Sequence, residues 1–457
     1  MKISPMDNLD LSQLKSLLMG QLGEKSSQGM KIWRSKVNLP DVNLLDWLAG
    51  IDLYPKFFWS DRDNHHTFAA AGSIFHCSAP HWSGYSTLFS EIQRLFKKTH
   101  PEVRLFGGLR FEPALKSSPE WQPFGKYKFF VPALEIFQTP HDQVLSYHYF
   151  VDKHNQERER LLDLILRKWN PDLQVSKDKF KNQPHIRTEI PAKQQWMESV
   201  KQVLELLEQN QLEKMVLARK LIFRFSESLD TLHVFKKMRE KYANSFFFFF
   251  QINPDLTFMG VSPELLYLRE GEKIYSEALA GTRPRGKTES RNAELERELK
   301  TDEKERREHR WVSDEISKNL KNICSSWSCL DKEKVVKLAY VQHLQSRFQG
   351  ILKDGITDGK ILEVFHPTPA VAGHPRQSAL HYIRKLENFD RGWYAGPIGW
   401  LSLSKAEFAV ALRSALIFKK EALIYGGAGI VRGSKPAREW QEIENKLKNY
   451  TRLFSGL

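Results

Sequence analysis

Alternation of apolar and polar residues predicts a chain built mainly from strands, with helices between them. In its first part, apolar or aromatic segments bounded by turn residues predict strands at 54–63, 67–77, 104–113 and 127–137. Residues 86–100 have helical spacing instead. Further along, 213–225 reads as a strand, and the continuous apolar run 245–252 is typical of a strand buried on both faces.

The segment 151–190 interrupts this pattern because it is highly charged and contains several prolines. It is predicted to be the least ordered connection of the chain, and it divides the sequence into an N-terminal half, 1–190, and a C-terminal half, 191–457. In the second half, 335–352 is predicted to be one strand, and 391–427 a succession of antiparallel strands.

The stretch 425–446 joins a glycine-rich turn to a helix that carries spaced acids. Gly426, Gly427 and Gly429 allow the main chain to approach a ligand closely and to direct N–H groups at an anion. The following helix places three charged residues on one face, beside an apolar stripe: Glu439, Glu442 and Lys446. A surface ion pair between Glu442 and Lys446 is the simpler alternative.

A second helix repeats the acidic pair. Its apolar stripe runs through Val312 and Ile316, and the same row continues backwards to Glu308, with Glu305 three residues earlier. An acid on a buried row needs a cation, a proton or a hydrogen-bond partner. If the two helices face each other, their carboxylates supply oxygen ligands suited to Mg²⁺.

Three other charged residues stand in apolar surroundings. Lys214 begins the strand 213–225, Glu264 follows Ser262–Pro263 on a constrained turn, and Arg413 is the only charge in a run that is predicted to be a strand. A lysine at a strand end can extend to water, and an acid on a loop can be simply exposed. A buried arginine is costly unless it meets an anion, and its fork suits a carboxylate.

Composition narrows the class of protein. The 457 residues are 41% hydrophobic and contain no apolar run long enough to span a bilayer, and the N-terminus has acids where a signal peptide needs an apolar segment. Three cysteines are too few for a disulfide framework and match no zinc spacing. A cytoplasmic protein without stable membrane association is expected.

The net charge of +14 is compatible with a binder of nucleic acid or of a membrane surface, or with an enzyme acting on a small anion. The basic residues are scattered among acids and form no long tract, so the enzyme is favoured and no nucleic-acid partner is expected.

Seven segments, in this order, resemble the chorismate-utilising enzymes: SPELLYLREG, EALAGTRPRG, ERREHRWV, HPTPAVAG, RGWYAGPIGW, FAVALRSALI and GGAGIVRGSKPAREWQEIENK. The similarity covers about residues 190–457, and YPKFFWSDRD and FGGLRF extend it more loosely into the first half. The resemblance implies a single α+β unit in which two packed antiparallel sheets, flanked by helices, hold an Mg²⁺-dependent site for chorismate. A monomer or a weak homodimer is expected.

The resemblance also implies roles for individual residues. Lys214 would be the general base that activates water, and Glu264 the general acid that protonates the departing ring hydroxyl. Glu308 and Glu442 would bind Mg²⁺ directly, and Glu305 and Glu439 through water. The substrate-binding positions would be Thr282, His366, Arg413, Gly427, Ala428, Gly429 and Lys446.

Within the family, Lys214 points to the branch that adds water at C2 of chorismate with loss of the C4 hydroxyl, an isomerisation, and most closely to members of the menaquinone pathway. Ammonia-using members carry a non-basic residue there, and aminodeoxychorismate synthases have a lysine at the place of Ala280. Salicylate-forming members share Lys214 and Glu264 and remain an alternative. Trp400 stands where many relatives have tyrosine, which is expected to remove a hydroxyl from the carboxylate site.

Overall fold

The structure, a computed structural model, consists of two antiparallel sheets with helices around them. It describes residues 11–21, 31–79, 81–151, 154–175, 184–286, 288–337 and 341–454. Within these residues, the larger sheet has twelve strands and the smaller has nine. The predicted α+β class with two packed antiparallel sheets is confirmed.

The large sheet is assembled from both halves of the sequence. Its strands are β1 (Ile32–Asn38), β2 (Lys56–Ser60), β3 (Thr67–Ala71), β7 (Leu134–Gln138), β8 (Gln143–Phe150), β9 (Ile186–Ile190), β10 (Lys214–Arg224), β11 (Phe246–Asn253), β12 (Leu256–Ser262), β17 (Gly373–His374), β20 (Ser414–Phe418) and β21 (Glu421–Ile430). Their order across the sheet is β1-β8-β7-β3-β2-β11-β12-β20-β21-β10-β17, and β9 also pairs with β10.

The small sheet has the same mixed origin. Its strands are β4 (Phe75–Ser78), β5 (Leu105–Leu109), β6 (Tyr127–Val131), β13 (Leu265–Glu270), β14 (Lys273–Pro284), β15 (Cys324–Lys337), β16 (Val341–Leu352), β18 (Pro397–Leu401) and β19 (Lys405–Val410). Their order is β15-β16-β14-β13-β19-β18-β5-β6-β4. Because β2 pairs with β11 and β5 pairs with β18, strands of the first 190 residues are hydrogen-bonded directly to strands of the rest.

Helices pack against strands of both sheets. They are α1 (Leu11–Gly20), α2 (Leu44–Gly50), α3 (Tyr85–Phe96), α4 (Asn155–Leu166), α5 (Lys193–Glu208), α6 (Thr231–Lys241), α7 (Glu289–Thr301), α8 (Glu303–Ile323), α9 (Asp358–Phe365), α10 (Arg376–Leu386) and α11 (Pro436–Phe454), together with a 3-10 helix at Pro119–Phe124. In the described part of the chain, none of them is both long and apolar enough to cross a membrane.

Aromatic side chains fill the space between the two sheets. Phe57 on β2 lies 5.3 Å from Phe106 on β5, and Phe250 on β11 stacks on Phe130 of β6 at 5.7 Å between ring centroids. Such pairs add to the free energy gained by burying their area. The continuous apolar run of β11 is therefore explained by its place in the middle of the large sheet, with both faces covered.

Two predicted segments are organised differently. The sequence 335–352, predicted as one strand, falls into the hairpin β15–β16, and residues 338–340 between the strands lie outside the described part. The connection 151–190 contains helix α4 and strand β9, so its charge reflects an amphipathic helix with an exposed face; 152–153 and 176–183 are outside the described residues. The three cysteines are free thiols.

A substitution of Trp121, which lies in the 3-10 helix of the first half, tests how strongly the two halves of the sequence are packed together. Its indole is fully buried against Phe258 of β12, 5.3 Å away, and its Nε1 donates to the Tyr425 hydroxyl at 3.2 Å. Trp121→Ala is expected to lower the free energy of unfolding by about 3–5 kcal/mol, because it leaves a large cavity. Denaturant unfolding checks this.

Trp327→Ala is the matched control, since that indole is 39% exposed. Its effect is expected to stay within about 0.5 kcal/mol. Equal losses in the two variants would contradict the packing described for Trp121.

Candidate active site

Most of the predicted site residues line one cavity of about 150 Å³ between the glycine end of β21, β10 and the helices α8 and α11. The predicted residues that line it are Lys214, Glu264, Thr282, Glu308, Arg413, Gly427, Gly429, Glu442 and Lys446. They come from segments that are far apart in the sequence, so the fold itself brings them together.

Lys214 begins β10 and is directed into this cavity. Its side chain is only 3% exposed, and its Nζ lies 3.6 Å from Oε2 of Glu308 on α8. In the sheet, β10 pairs with β21, so that Val216 faces Gly429. A Cβ at Gly429 would lie 3.0 Å from Cε of Lys214, so glycine at this position leaves the room that the lysine side chain occupies.

Glu264 lies on the short connection between β12 and β13 and is buried. Thr368 Oγ1 donates to its Oε1 at 3.4 Å. Burial raises the pKa of Glu264 to about 8, and repulsion from the Glu277 carboxylate acts in the same direction. The carboxyl therefore keeps its proton near neutral pH, which a general acid requires.

The carboxylates of two helices meet at the cavity. Glu308 of α8 and Glu442 of α11 line it. Burial raises the pKa of Glu308, with Lys214 opposing the shift and Glu305 adding to it. Although burial opposes it, Lys446 holds the pKa of Glu442 below its usual value through an ion pair of 2.7 Å.

Glu305 and Glu439, which were predicted to bind the metal through water, do not line the cavity. Glu305 accepts hydrogen bonds from the Thr282 N–H at 2.8 Å and from Arg283 Nη1 at 2.5 Å. Glu439 is paired with Lys304 at 3.3 Å. Each of the four helix carboxylates thus has a cation partner in the protein.

These carboxylates fit Mg²⁺ as the predicted cofactor. Two half-buried carboxylates, Glu308 and Glu442, reach the same cavity, and an added cation would favour the ionised form of Glu308, whose pKa is raised by burial. In the described ranges, no three acidic, histidine or cysteine side chains form a metal-binding group by themselves. Such a donor set suits an ion that completes its shell with water and substrate oxygens.

Two further basic residues, Arg413 and Lys446, line the cavity. Arg413 lies between β19 and β20 with φ of 42°, whereas the sequence predicted that it lies within a strand. Its carbonyl accepts from the Val261 N–H at 3.1 Å and from the Tyr450 hydroxyl. These bonds hold the left-handed backbone that turns the guanidinium toward the cavity. Lys446 Nζ donates to the Gly427 carbonyl at 3.0 Å.

His366 and Ala428 do not line the cavity. The His366 ring is buried, its Nε2 lies 2.9 Å from the Phe111 carbonyl, and burial lowers its pKa to about 3. Ala428 lies between the two site glycines on β21, and because side chains alternate along a strand it belongs to the opposite face.

His343 of β16, which the sequence analysis did not single out, lines the cavity together with Thr282. Its Nδ1 lies 3.0 Å from Thr282 Oγ1 and 3.2 Å from the Gly281 carbonyl. Burial, and then the nearby Arg413, lowers the pKa of His343 to about 3, so the ring is neutral near pH 7. The position within the sequence QHLQS gave no local signal, because the histidine there follows the alternation of an ordinary strand.

Tyr394 was also missed, and it corrects the expectation for Trp400. Tyr394 lines the cavity and stacks on Tyr425 at 5.3 Å between centroids. Trp400 does not line it; its Nε1 donates to Glu407 at 3.3 Å, in a separate cavity between the sheets. Tryptophan at position 400 therefore removes no hydroxyl from this cavity, where Tyr394 supplies one.

Comparison with known proteins shows the family to which the chain belongs. The family model described as chorismate binding enzyme matches residues 16–454. Isochorismate synthase MenF of Bacillus subtilis is 33% identical, with 88% of each chain covered. That of Haemophilus influenzae is 30% identical, over 97% of this chain and 96% of the relative.

A solved structure is similar over almost the whole length. The menaquinone-specific isochorismate synthase MenF of Escherichia coli superposes with a TM-score of 0.86 at 27% identity, over 97% of this chain and 99% of that one. The chain belongs to the chorismate-binding enzyme family, which confirms the resemblance seen in the sequence. The isochorismate synthases are the members to which these comparisons relate it.

The raised pKa of Glu264 predicts a pH-dependent stability. In the folded protein the pKa of Glu264 is about 8, well above the usual value of 4.5. The free energy of unfolding therefore falls as the pH rises from about 4.5 through 8, because the unfolded chain releases this proton at lower pH. Wild-type protein is expected to lose Tm relative to Glu264→Gln between pH 6 and pH 9, measured by thermal unfolding. Parallel curves for the two proteins would contradict the assignment.

Proposed function

We propose that this chain is an isochorismate synthase that isomerises chorismate with Mg²⁺ as its cofactor. The observation that carries the proposal is that Lys214 and the buried Glu264, whose pKa is raised to about 8 by burial, line one cavity together with two helix carboxylates, Arg413 and Lys446. The predicted isomerase activity agrees with the relatives and the structural neighbour, all of which are isochorismate synthases.

The reaction exchanges one hydroxyl for another. Lys214 accepts a proton from water, whose oxygen forms a bond to C2 of the ring; the two ring double bonds shift, and the C4–O bond breaks. Glu264 gives its proton to the departing oxygen, so that water leaves. Lysine and carboxylate then return to their starting protonation states by exchange with solvent.

Lys214 requires a free amine for this role. In the protein alone, its Nζ lies 3.6 Å from Oε2 of the Glu308 carboxylate. Any cation bound by Glu308 would therefore weaken the hold of that carboxylate on the ammonium group.

Mg²⁺, when bound, would neutralise substrate charge and fix the ring carboxylate. Glu308 and Glu442 would be its direct ligands, and Glu305 and Glu439 would act through water. Arg413 and the backbone at Gly427 and Gly429 would hold the enolpyruvyl carboxylate, assisted by Lys446. Thr282 and the neutral His343 lie beside this position.

Other reactions of the family are less well supported. Ala280 lines the cavity where aminodeoxychorismate synthases are expected to have a nucleophilic lysine. Salicylate synthase remains the second candidate, because Lys214, Glu264 and the helix carboxylates serve both reactions. A menaquinone pathway is proposed from the similarity to menaquinone-specific MenF. A cytoplasmic monomer or weak homodimer, without nucleic acid or stable membrane partners, completes the proposal.

Product analysis tests the reaction. Purified protein with chorismate and Mg²⁺ is expected to form isochorismate, and Lys214→Ala is expected to lower turnover at least about a hundredfold, the size usual for loss of a general base. Lys220→Met is the control, since Lys220 lies on the same strand but pairs with Glu120 at 3.2 Å. Salicylate and pyruvate as products, or full turnover in Lys214→Ala, would refute the proposal.

A second experiment tests the metal site without relying on activity. Mg²⁺ is expected to raise the Tm of wild-type protein by binding the folded state. Glu442→Gln should abolish this rise and the turnover while the protein stays folded. Glu444→Gln, two residues along the same helix, should keep both, because Glu444 pairs with Arg219 at 2.7 Å on another face. An unchanged Tm response in Glu442→Gln would contradict its assignment as a ligand.

A further inference from the structure

Arg62 and Glu277 form an ion pair directly behind the candidate acid, Glu264. Arg62 follows β2 in the first half of the sequence, and Glu277 lies on β14, 215 positions away. Arg62 Nη1 donates to Glu277 Oε2 at 3.1 Å, and Nη2 donates to Oε1. The Glu277 side chain is only 4% exposed, so the pair is held in a medium that screens it weakly.

This pair holds the main chain on both sides of Glu264. Arg62 Nη2 also donates to the Pro263 carbonyl at 2.6 Å. Glu277 Oε1 accepts from the Leu265 N–H at 3.0 Å. The residue before the acid and the residue after it are therefore bonded to the two partners of one ion pair. Small movements of the chain that would turn the carboxyl away from the cavity require these bonds to break.

The position of Glu277 is itself fixed. Gln345 of β16 donates to its Oε2 at 2.7 Å, so both carboxylate oxygens are occupied by donors. A fixed negative charge near Glu264 disfavours the ionised form of that acid, as it does for other paired carboxyl groups.

Several groups face Glu264 from the surrounding elements. Glu277 approaches from β14, Lys214 from β10 and Arg62 from the segment after β2, and Thr368 donates a hydrogen bond. Tyr394 is also close enough to interact electrostatically with Glu264. Among the charged groups, Glu277 opposes ionisation of Glu264, and Lys214 and Arg62 favour it.

We propose that Arg62 and Glu277 are positioning residues for the general acid: they fix the backbone around Glu264 and set the charge next to its carboxyl. The proposal rests on the function proposed for Glu264. It gives the first half of the chain a part in catalysis, since Arg62 is supplied by that half although the cavity lining comes from the second.

Glu277→Gln keeps an acceptor for the Leu265 N–H but removes the negative charge and leaves Arg62 uncompensated. Both changes favour ionised Glu264. The alkaline limb of the pH profile of kcat is therefore expected to move to lower pH by about one unit. The Tm loss between pH 6 and pH 9 should become smaller in the same variant, because less of the titration of Glu264 falls in that window.

Arg62→Met has the opposite electrostatic effect, since it leaves Glu277 unpaired. Its alkaline limb is expected to move to higher pH, while the plateau value of kcat falls because the bond to Pro263 is lost. Arg62→Lys, which keeps the charge but not the fork, should lower kcat with the limb unmoved. If Arg62→Met does not fold, the proposal is tested by Glu277→Gln alone, through the alkaline limb of its pH profile of kcat and through its Tm loss between pH 6 and pH 9.

Arg269→Met and Asp358→Asn are the matched controls. That buried ion pair is bidentate, at 2.8 and 2.9 Å, but holds no residue of the cavity lining. Both variants should lose stability with an unchanged pH profile. If Glu277→Gln behaves like these controls, the pair is structural and the proposal is overturned. If Glu264→Gln instead retains turnover, the function proposed for Glu264 fails first, and the two failures are thereby distinguished.

Discussion

The antiparallel pairing of β10 with β21 is the constraint on which the site depends. It sets Lys214 at the end of one strand beside the glycines of the other, and β21 then leads into α11, the helix that carries Glu442. A side chain at Gly429 would occupy the space of the lysine, and a shift of one residue would turn the lysine to the other face of the sheet. The register of β10 against β21 and the glycine at position 429 are therefore both needed for Lys214 to face the helix carboxylates.

Charge compensation follows from this constraint. The fold brings many ionisable groups into a poorly solvated space, and in the protein alone every helix carboxylate is balanced by a cation. A cofactor cation and an anionic substrate would enter such a site as a nearly neutral pair, so that the balance of charge in the site would be kept. Glu264, which lies between two strands, differs from these acids: burial, with the Glu277 carboxylate nearby, stabilises it as the neutral acid.

The sequence predicts those parts of the molecule that are encoded locally. Strand patterns, the glycine turn and the spaced acids of α8 and α11 each lie within one segment, and so they could be recognised and combined through the family resemblance. Arg62 and Glu277 could not, because their contact is made only when strands from both halves join. The role of His343 could not be predicted either, because the apolar and polar residues around it alternate as in any strand. The place of Trp400 between the sheets also escaped prediction, since it depends on the packing of β18.

The central claim is that water held in this cavity becomes the new hydroxyl of the product. Chorismate turned over by the wild-type enzyme with Mg²⁺ in water labelled with heavy oxygen tests it most directly, with mass spectrometry of the product. Isochorismate carrying the heavy oxygen at C2 is the predicted result, because the base activates solvent water while the original hydroxyl departs. Unlabelled isochorismate would mean that the substrate's own oxygen migrates, and it would contradict the roles given to Lys214 and Glu264.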